Sequence, residues 1–180
     1  MDSLDMKKPN LFILNVLLFL TFDLMLLGAG VRTMDAGLTC PDWPLCFGKT
    51  VPDYHLGVYL EFIHRVIAGL VGILYLVFFI QVWRSETFKR VRLLSVVGLF
   101  FLIAQIIMGG LTVLKLLEAY IVTLHLTLAT IFLLVLFIMK KKLLKEDLSE
   151  KLVRVSKTYV LFRLNITLAV LFIVVQIILG

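Results

Sequence analysis

Two short runs place ionisable side chains inside long apolar stretches: Glu61-Phe62-Ile63-His64-Arg65 and Thr123-Leu124-His125-Leu126. Ionisable groups are costly in hydrocarbon, so each marks a candidate site. Two imidazoles on separate helices can supply both axial ligands of a haem iron. A single histidine in an apolar helix is commonly a hydrogen-bonded packing residue. Two at matched depth, one beside a carboxylate, favour haem ligation. Zinc needs three or four ligands, and His55, in a loop, does not count as a third. Glu61 and His64 are three residues apart and share a helical face. Glu61 has two readings: a structural pair with Arg65 one turn on, or a carboxylate placed to move protons near an iron ligand. Asp23, in the middle of an apolar run, is assigned no role.

Cys40 and Cys46, the two cysteines of the chain, lie in the run Gly37-Leu38-Thr39-Cys40-Pro41-Asp42-Trp43-Pro44-Leu45-Cys46-Phe47-Gly48. A disulfide between them closes a small ring, worth about 2 kcal/mol in loop entropy, and can hold the loop as a lid. A redox-active pair is the competing reading. Trp43 and Phe47 either cover a hydrophobic ligand or anchor at a membrane interface.

These side chains must be carried by helices in a bilayer. Hydrophobic residues make up 61% of the 180-residue chain and charged residues 17%, with mean hydropathy +1.06. A soluble domain is about 45–50% apolar and about 25% charged. A water-soluble fold of this size cannot hide so much apolar surface, which excludes soluble enzymes, disordered chains and secreted disulfide scaffolds. A spanning helix needs about 20 mostly apolar residues. Five stretches qualify: Leu11–Val31, Val58–Trp83, Leu93–Leu114, Ala119–Met139 and Tyr159–Gly180.

The expected fold class is therefore all-α: a polytopic membrane protein with a four-helix transmembrane bundle over residues 1–139 and a long loop at 32–57. A basic segment, 140–157, follows, and then a fifth transmembrane helix over 158–180. The first stretch is longer than a signal-peptide apolar core, although Lys7 and Lys8 precede it and Gly28-Ala29-Gly30 resembles a cleavage site. It is read as a retained helix.

Most of the 18 Lys and Arg residues fall at the amino terminus, after the second span, or in the 140–157 segment. An even number of spans separates these regions, so the positive-inside rule makes all three cytoplasmic and puts loop 32–57 outside. Asp2 and Asp5, in place of an Arg- and Ser-rich leader, point to a prokaryotic plasma membrane. The net charge of +6 shows no basic stripe with interleaved aromatics, so nucleic-acid binding is not expected. Leucines at near-helical spacing in 140–157 suit either an amphipathic surface segment or a solvated linker. His64 and His125 each lie roughly 9 Å into their spans at 1.5 Å per residue. Both spans run the same way, so the two rings share one level. Gly69, Gly72 and Ala129 would leave room for a flat macrocycle.

Gln105-Ile106-Ile107-Met108-Gly109 recurs almost unchanged as Gln176-Ile177-Ile178-Leu179-Gly180. Gly28-Ala29-Gly30-Val31-Arg32, Cys40-Pro41-Asp42-Trp43-Pro44-Leu45-Cys46, Glu61-Phe62-Ile63-His64-Arg65, Gln105 with Gly109-Gly110-Leu111-Thr112-Val113, and His125-Leu126-Thr127-Leu128-Ala129 follow one another in order. Together they resemble the haem A synthase family of cytochrome oxidase assembly proteins, from Leu11 to Ala129. Met34-Asp35-Ala36 departs from the family's usual Thr-Gly-Ser.

The resemblance implies an oxidoreductase acting on haem O, whose C8 methyl is oxidised to a formyl by two successive oxygenations. It implies that His64 and His125 are axial ligands of a haem iron, the haem being haem b or the substrate haem O. It also implies that Glu61 acts in catalysis and that Cys40 and Cys46 form a disulfide. Implied partners are haem O synthase, an inner-side electron donor such as a ferredoxin, and a second four-helix half or a second copy. The family commonly has eight spans in two halves, so this chain reads as a truncated protein or as a short form needing a companion. Two axial histidines leave no open iron position, so an electron-transfer or oxidase-assembly module without oxygenase activity is the alternative. A membrane thiol-redox protein is a third reading.

Overall fold

The computed structural model describes residues 11–148, with side chains through Leu144. Four helices dominate: α1 Phe12–Thr33, α2 Leu56–Arg84, α3 Arg92–Leu114 and α4 Ala119–Leu148. All four contain a stretch long and apolar enough to cross a membrane, and the protein is a polytopic, all-α membrane protein. Backbone groups cannot be left unpaired in hydrocarbon, and a helix satisfies them within one segment. The expected fifth helix, over Tyr159–Gly180, lies outside the described residues.

The boundaries of α1 to α3 fall within a few residues of the apolar runs. By contrast, α4 continues past Met139 to Leu148. Lys140 through Leu148 contains neither glycine nor proline and is rich in strong helix formers. Long lysine stems can also lie along an apolar helix while their charges reach outward.

Each helix turns one stripe inward. Leu14, Leu17, Thr21 and Val31 line the stripe of α1, and Val58, Glu61, Val71, Tyr75, Phe78 and Val82 that of α2. Ser95, Gly98, Leu102, Gly110 and Val113 are buried on α3. Ile121, Phe132, Leu136, Met139 and Leu143 are buried on α4. Side chains from all four helices join in one core cluster. Its centre is Tyr75, fully buried, whose ring meets Phe132 edge-on at 5.2 Å and whose hydroxyl donates to the Ser95 carbonyl at 2.8 Å. A buried phenol needs such a partner. Gly98 makes room for it: a Cβ there would overlap the Tyr75 hydroxyl.

The connections differ in kind. A short 3₁₀ helix, Glu86–Val91, joins α2 to α3. A tight turn joins α3 to α4, with Leu116 and Leu117 both left-handed at φ 52° and 58°. Such residues cost about 1–2 kcal/mol each. The Leu117 amide donates to the Thr112 carbonyl at 2.8 Å and satisfies one carbonyl of the last turn of α3. The α1–α2 connection is the long loop carrying both cysteines.

Candidate functional site

His64 continues the inward stripe of α2 between Glu61 and Val71, and His125 that of α4 between Ile121 and Phe132. Both rings are half-buried. In each, Nδ1 is fully buried and has no hydrogen-bond partner. The two histidines thus lie on the inward stripes of α2 and α4.

A glycine of the preceding helix backs each ring. A Cβ at Gly28 of α1 would sit 3.0 Å from His64 Cε1, and one at Gly109 of α3 would sit 3.4 Å from His125 Cε1. The Gln105 side chain also donates from Nε2 to the His125 carbonyl at 2.7 Å, tying α3 to α4 at this level. Gly72 is half-buried and Gly69 exposed, and a Cβ at either would meet nothing within 4 Å. Gly69 falls among the exposed residues Val66, Leu70 and Ile73, so of the two it is Gly72 that adjoins the inward stripe. Among the described residues, no three of His, Cys, Asp and Glu gather as a metal cluster.

Glu61 is buried at 5% exposure, and both carboxylate oxygens are engaged. Oε1 is ion-paired with the Arg65 guanidinium one turn on. Oε2 accepts the Cys40 backbone N–H at 2.9 Å and lies 3.1 Å from the Thr39 hydroxyl. Arg65 does more than pair with Glu61. Its Nη1 donates to the carbonyls of Asp42, at 2.7 Å, and Leu45, and Nη2 reaches the Cys40 carbonyl at 3.5 Å. The pair thus grips the cysteine loop by its backbone.

Cys40 and Cys46 form a disulfide, 0% and 2% exposed. Beside it, Cys46 and Lys49 exchange two backbone hydrogen bonds across a tight turn. The turn residues Phe47 and Gly48 have φ 55° and 66°, a conformation that glycine adopts freely and phenylalanine does not. Asp42 compensates: its carboxylate accepts from the Phe47 amide at 2.6 Å and the Gly48 amide at 2.8 Å. Those amides, Gly48 first, hold the Asp42 carboxyl below its ordinary 3.8, with the Arg65 charge adding to the effect. The loop also reaches the other helices. A Cβ on Gly110 of α3 would lie 3.3 Å from the Trp43 indole, and one on Gly37 would lie 3.0 Å from Leu117 Cδ1 in the α3–α4 turn.

The structure therefore places His64 against Gly28 and His125 against Gly109, and joins Glu61 to the cysteine loop. His55 is exposed at the start of α2, and Asp23 is half-buried on α1. Sequence reasoning paired Arg65 only with Glu61 and missed its grip on three loop carbonyls. It also named Gly28 and Gly109 within short motifs, without the rings they back. The planar five-donor fork of arginine suits several acceptors at once, but its loop partners lie 20 to 25 residues away in the chain.

The sequence matches the family described as Cytochrome oxidase assembly protein over residues 12–56 and 53–180. It is similar to the Heme A synthase of Lysinibacillus sphaericus (strain C3-41), 38% identical over 57% of this chain and 34% of that protein. The Heme A synthase of Shouchella clausii (strain KSM-K16) is 37% identical over 46% of this chain and 29% of its own length. That of Bacillus pumilus (strain SAFR-032) is 31% identical over 63% and 39%. The chain spans about a third of the length of the curated relatives it matches. No solved structure matches. With its matched segments running through all four helices and both histidine sites, the chain belongs to the cytochrome oxidase assembly protein family.

Proposed function

We propose that this chain is the haem-holding half of a haem A synthase, in which His64 and His125 bind one haem from opposite sides. The observation that carries this reading is the pair of inward-lying imidazoles, each with a buried ring nitrogen that lacks a partner. Leaving a buried polar atom unpaired costs about 1–3 kcal/mol. Two such rings on facing helices suit an axial pair, whereas zinc calls for three or four ligands. Gly28 and Gly109 fix the back edges of the rings, and the half-buried Gly72 and Ala129 add little bulk to α2 and α4.

When bound, the haem supplies iron redox chemistry and, as haem O, the C8 methyl that becomes a formyl. His64 and His125 hold and orient it. Gln105 steadies the α4 backbone at His125. Glu61, with both oxygens committed to Arg65 and the loop, serves this reading as a positioning residue. The rest of the function is part of the same proposal. Haem O synthase supplies the substrate, and an inner-side donor such as a ferredoxin supplies electrons. A second four-helix half, or a second copy, completes the enzyme in a prokaryotic plasma membrane, with the cysteine loop outside. With both imidazoles committed to holding it, a bound haem would supply electron-transfer chemistry. That favours, as the second reading, an electron-transfer or assembly module.

The test is expression with a haem O source, alone and together with a complementary second half. The chain is expected to carry low-spin haem with bis-histidine spectra, lost in His64→Ala and in His125→Ala. Extracted pigment from the completed protein is expected to contain haem A. Unchanged spectra in either variant would refute the ligand assignment. Reversible redox titration with the porphyrin left unconverted would establish the second reading.

A further inference from the structure

We infer that Arg65 is a positioning residue: its guanidinium, backed by Glu61, latches the Cys40–Cys46 loop onto α2 and closes that end of the bundle over the two histidines. The fork of arginine can serve several acceptors at fixed angles, which a lysine ammonium cannot. Here it is shared among the carbonyls of Asp42, Leu45 and Cys40 and the Glu61 carboxylate. Glu61 returns the grip by accepting the Cys40 amide. Arg65 and Glu61 therefore hold both the carbonyl and the N–H of Cys40.

The loop is also held from the side of α3. Trp43 lies against Gly110, the neighbour of the glycine that backs His125, and Gly37 lies against Leu117. The loop thus runs from the residue beside one histidine to the residue beside the seat of the other. Each anchor is polar or close-packed, and the disulfide between them is buried. A reductant in water reaches that bridge only after the loop lifts, so the rate of its reduction measures the latch.

The experiment treats membranes containing the intact protein with dithiothreitol for graded times. The bridge takes up two electrons and two protons to give two thiols, while the reagent becomes its own cyclic disulfide. The thiols of Cys40 and Cys46 are then trapped with a maleimide mass tag. Losing the charged hydrogen bonds is expected to speed reduction by about tenfold or more in Arg65→Gln. Arg65→Lys keeps the charge and can still meet Glu61, but cannot span the three carbonyls, so it should also be faster than the parent. Trp43→Ala should accelerate reduction by releasing the loop from α3, and it tests the lid where an Arg65 variant fails to accumulate. Parental rates in the Arg65 variants, or in Trp43→Ala, overturn the inference.

The part that concerns haem rests on the bis-histidine reading. In haem-loaded protein, Arg65→Gln and Arg65→Lys should keep the low-spin spectrum but bind added cyanide faster than the parent. An unchanged cyanide rate would sink the claim that the loop covers the site. The thiol measurement needs no haem, so a colourless parent would remove the haem reading and leave the latch to be judged by its own result.

Discussion

The two glycines that back the histidines make opposite predictions for one substitution. Carbon atoms pack best at about 3.5–4.0 Å. A methyl at Gly28 would stand 3.0 Å from His64 Cε1, and one at Gly109 would stand 3.4 Å from His125 Cε1. Gly109→Ala is thus close to ordinary contact, and alanine gains about 1 kcal/mol over glycine in a helix interior. Gly28→Ala earns the same gain but pushes the ring by roughly half an ångström, against an overpacking cost of about 1–3 kcal/mol. Its net stability change is small, so stability is the wrong readout. Ligand geometry is the right one. Haem-loaded Gly28→Ala should show shifted low-spin resonance signals and roughly tenfold weaker haem retention, equivalent to about 1.4 kcal/mol. Gly109→Ala should keep the parental spectrum with equal or greater resistance to detergent unfolding. If both variants perturb the spectrum equally, or neither does, the asymmetric seating is wrong.

Gly98→Ala drives a methyl into the buried Tyr75 hydroxyl and should destabilise by about 1–3 kcal/mol. Adding Tyr75→Phe removes the obstructing oxygen, so the double variant should unfold later in a detergent titration than Gly98→Ala alone; additive losses would contradict this. Gln105→Leu removes the 2.7 Å bond to the His125 carbonyl and should cost about 1 kcal/mol in the same assay. The amides of Gly48 and Phe47 depress the Asp42 carboxyl below 3.8. Its contribution to loop stability is therefore full above the unfolded value and is lost as pH falls through the lower folded one. Proteolytic cleavage of the loop should stay constant down to about pH 4 and rise below it, and Asp42→Asn should cleave faster at neutral pH without that acid onset.

The four described helices were legible because each apolar run is long enough to cross a bilayer and few charges interrupt it. The sequence offers His64 and His125 as a pair for a geometric reason: equal depth on two helices expected to run the same way. Other features carry no periodic signal. The lysines after Met139 mark an end to hydrophobicity, not to helix, so α4 outran its expected boundary. Arg65 finds its carbonyls 20 to 25 residues earlier in the chain, at Asp42, Leu45 and Cys40, and nothing local announces such a contact. Trp43 was open between ligand cover and membrane anchor, and its rest against Gly110 appears only once α3 is in place.

The seating of each imidazole by the helix just before it has a consequence for assembly. The first hairpin places Gly28 beside His64, and the second places Gly109 beside His125. Each imidazole is thus seated within its own hairpin. The cysteine loop is different, because Trp43 rests on α3 and Gly37 on Leu117 of the α3–α4 turn. It can settle only after the second hairpin is in place, and in the proposed function a tetrapyrrole would enter before then.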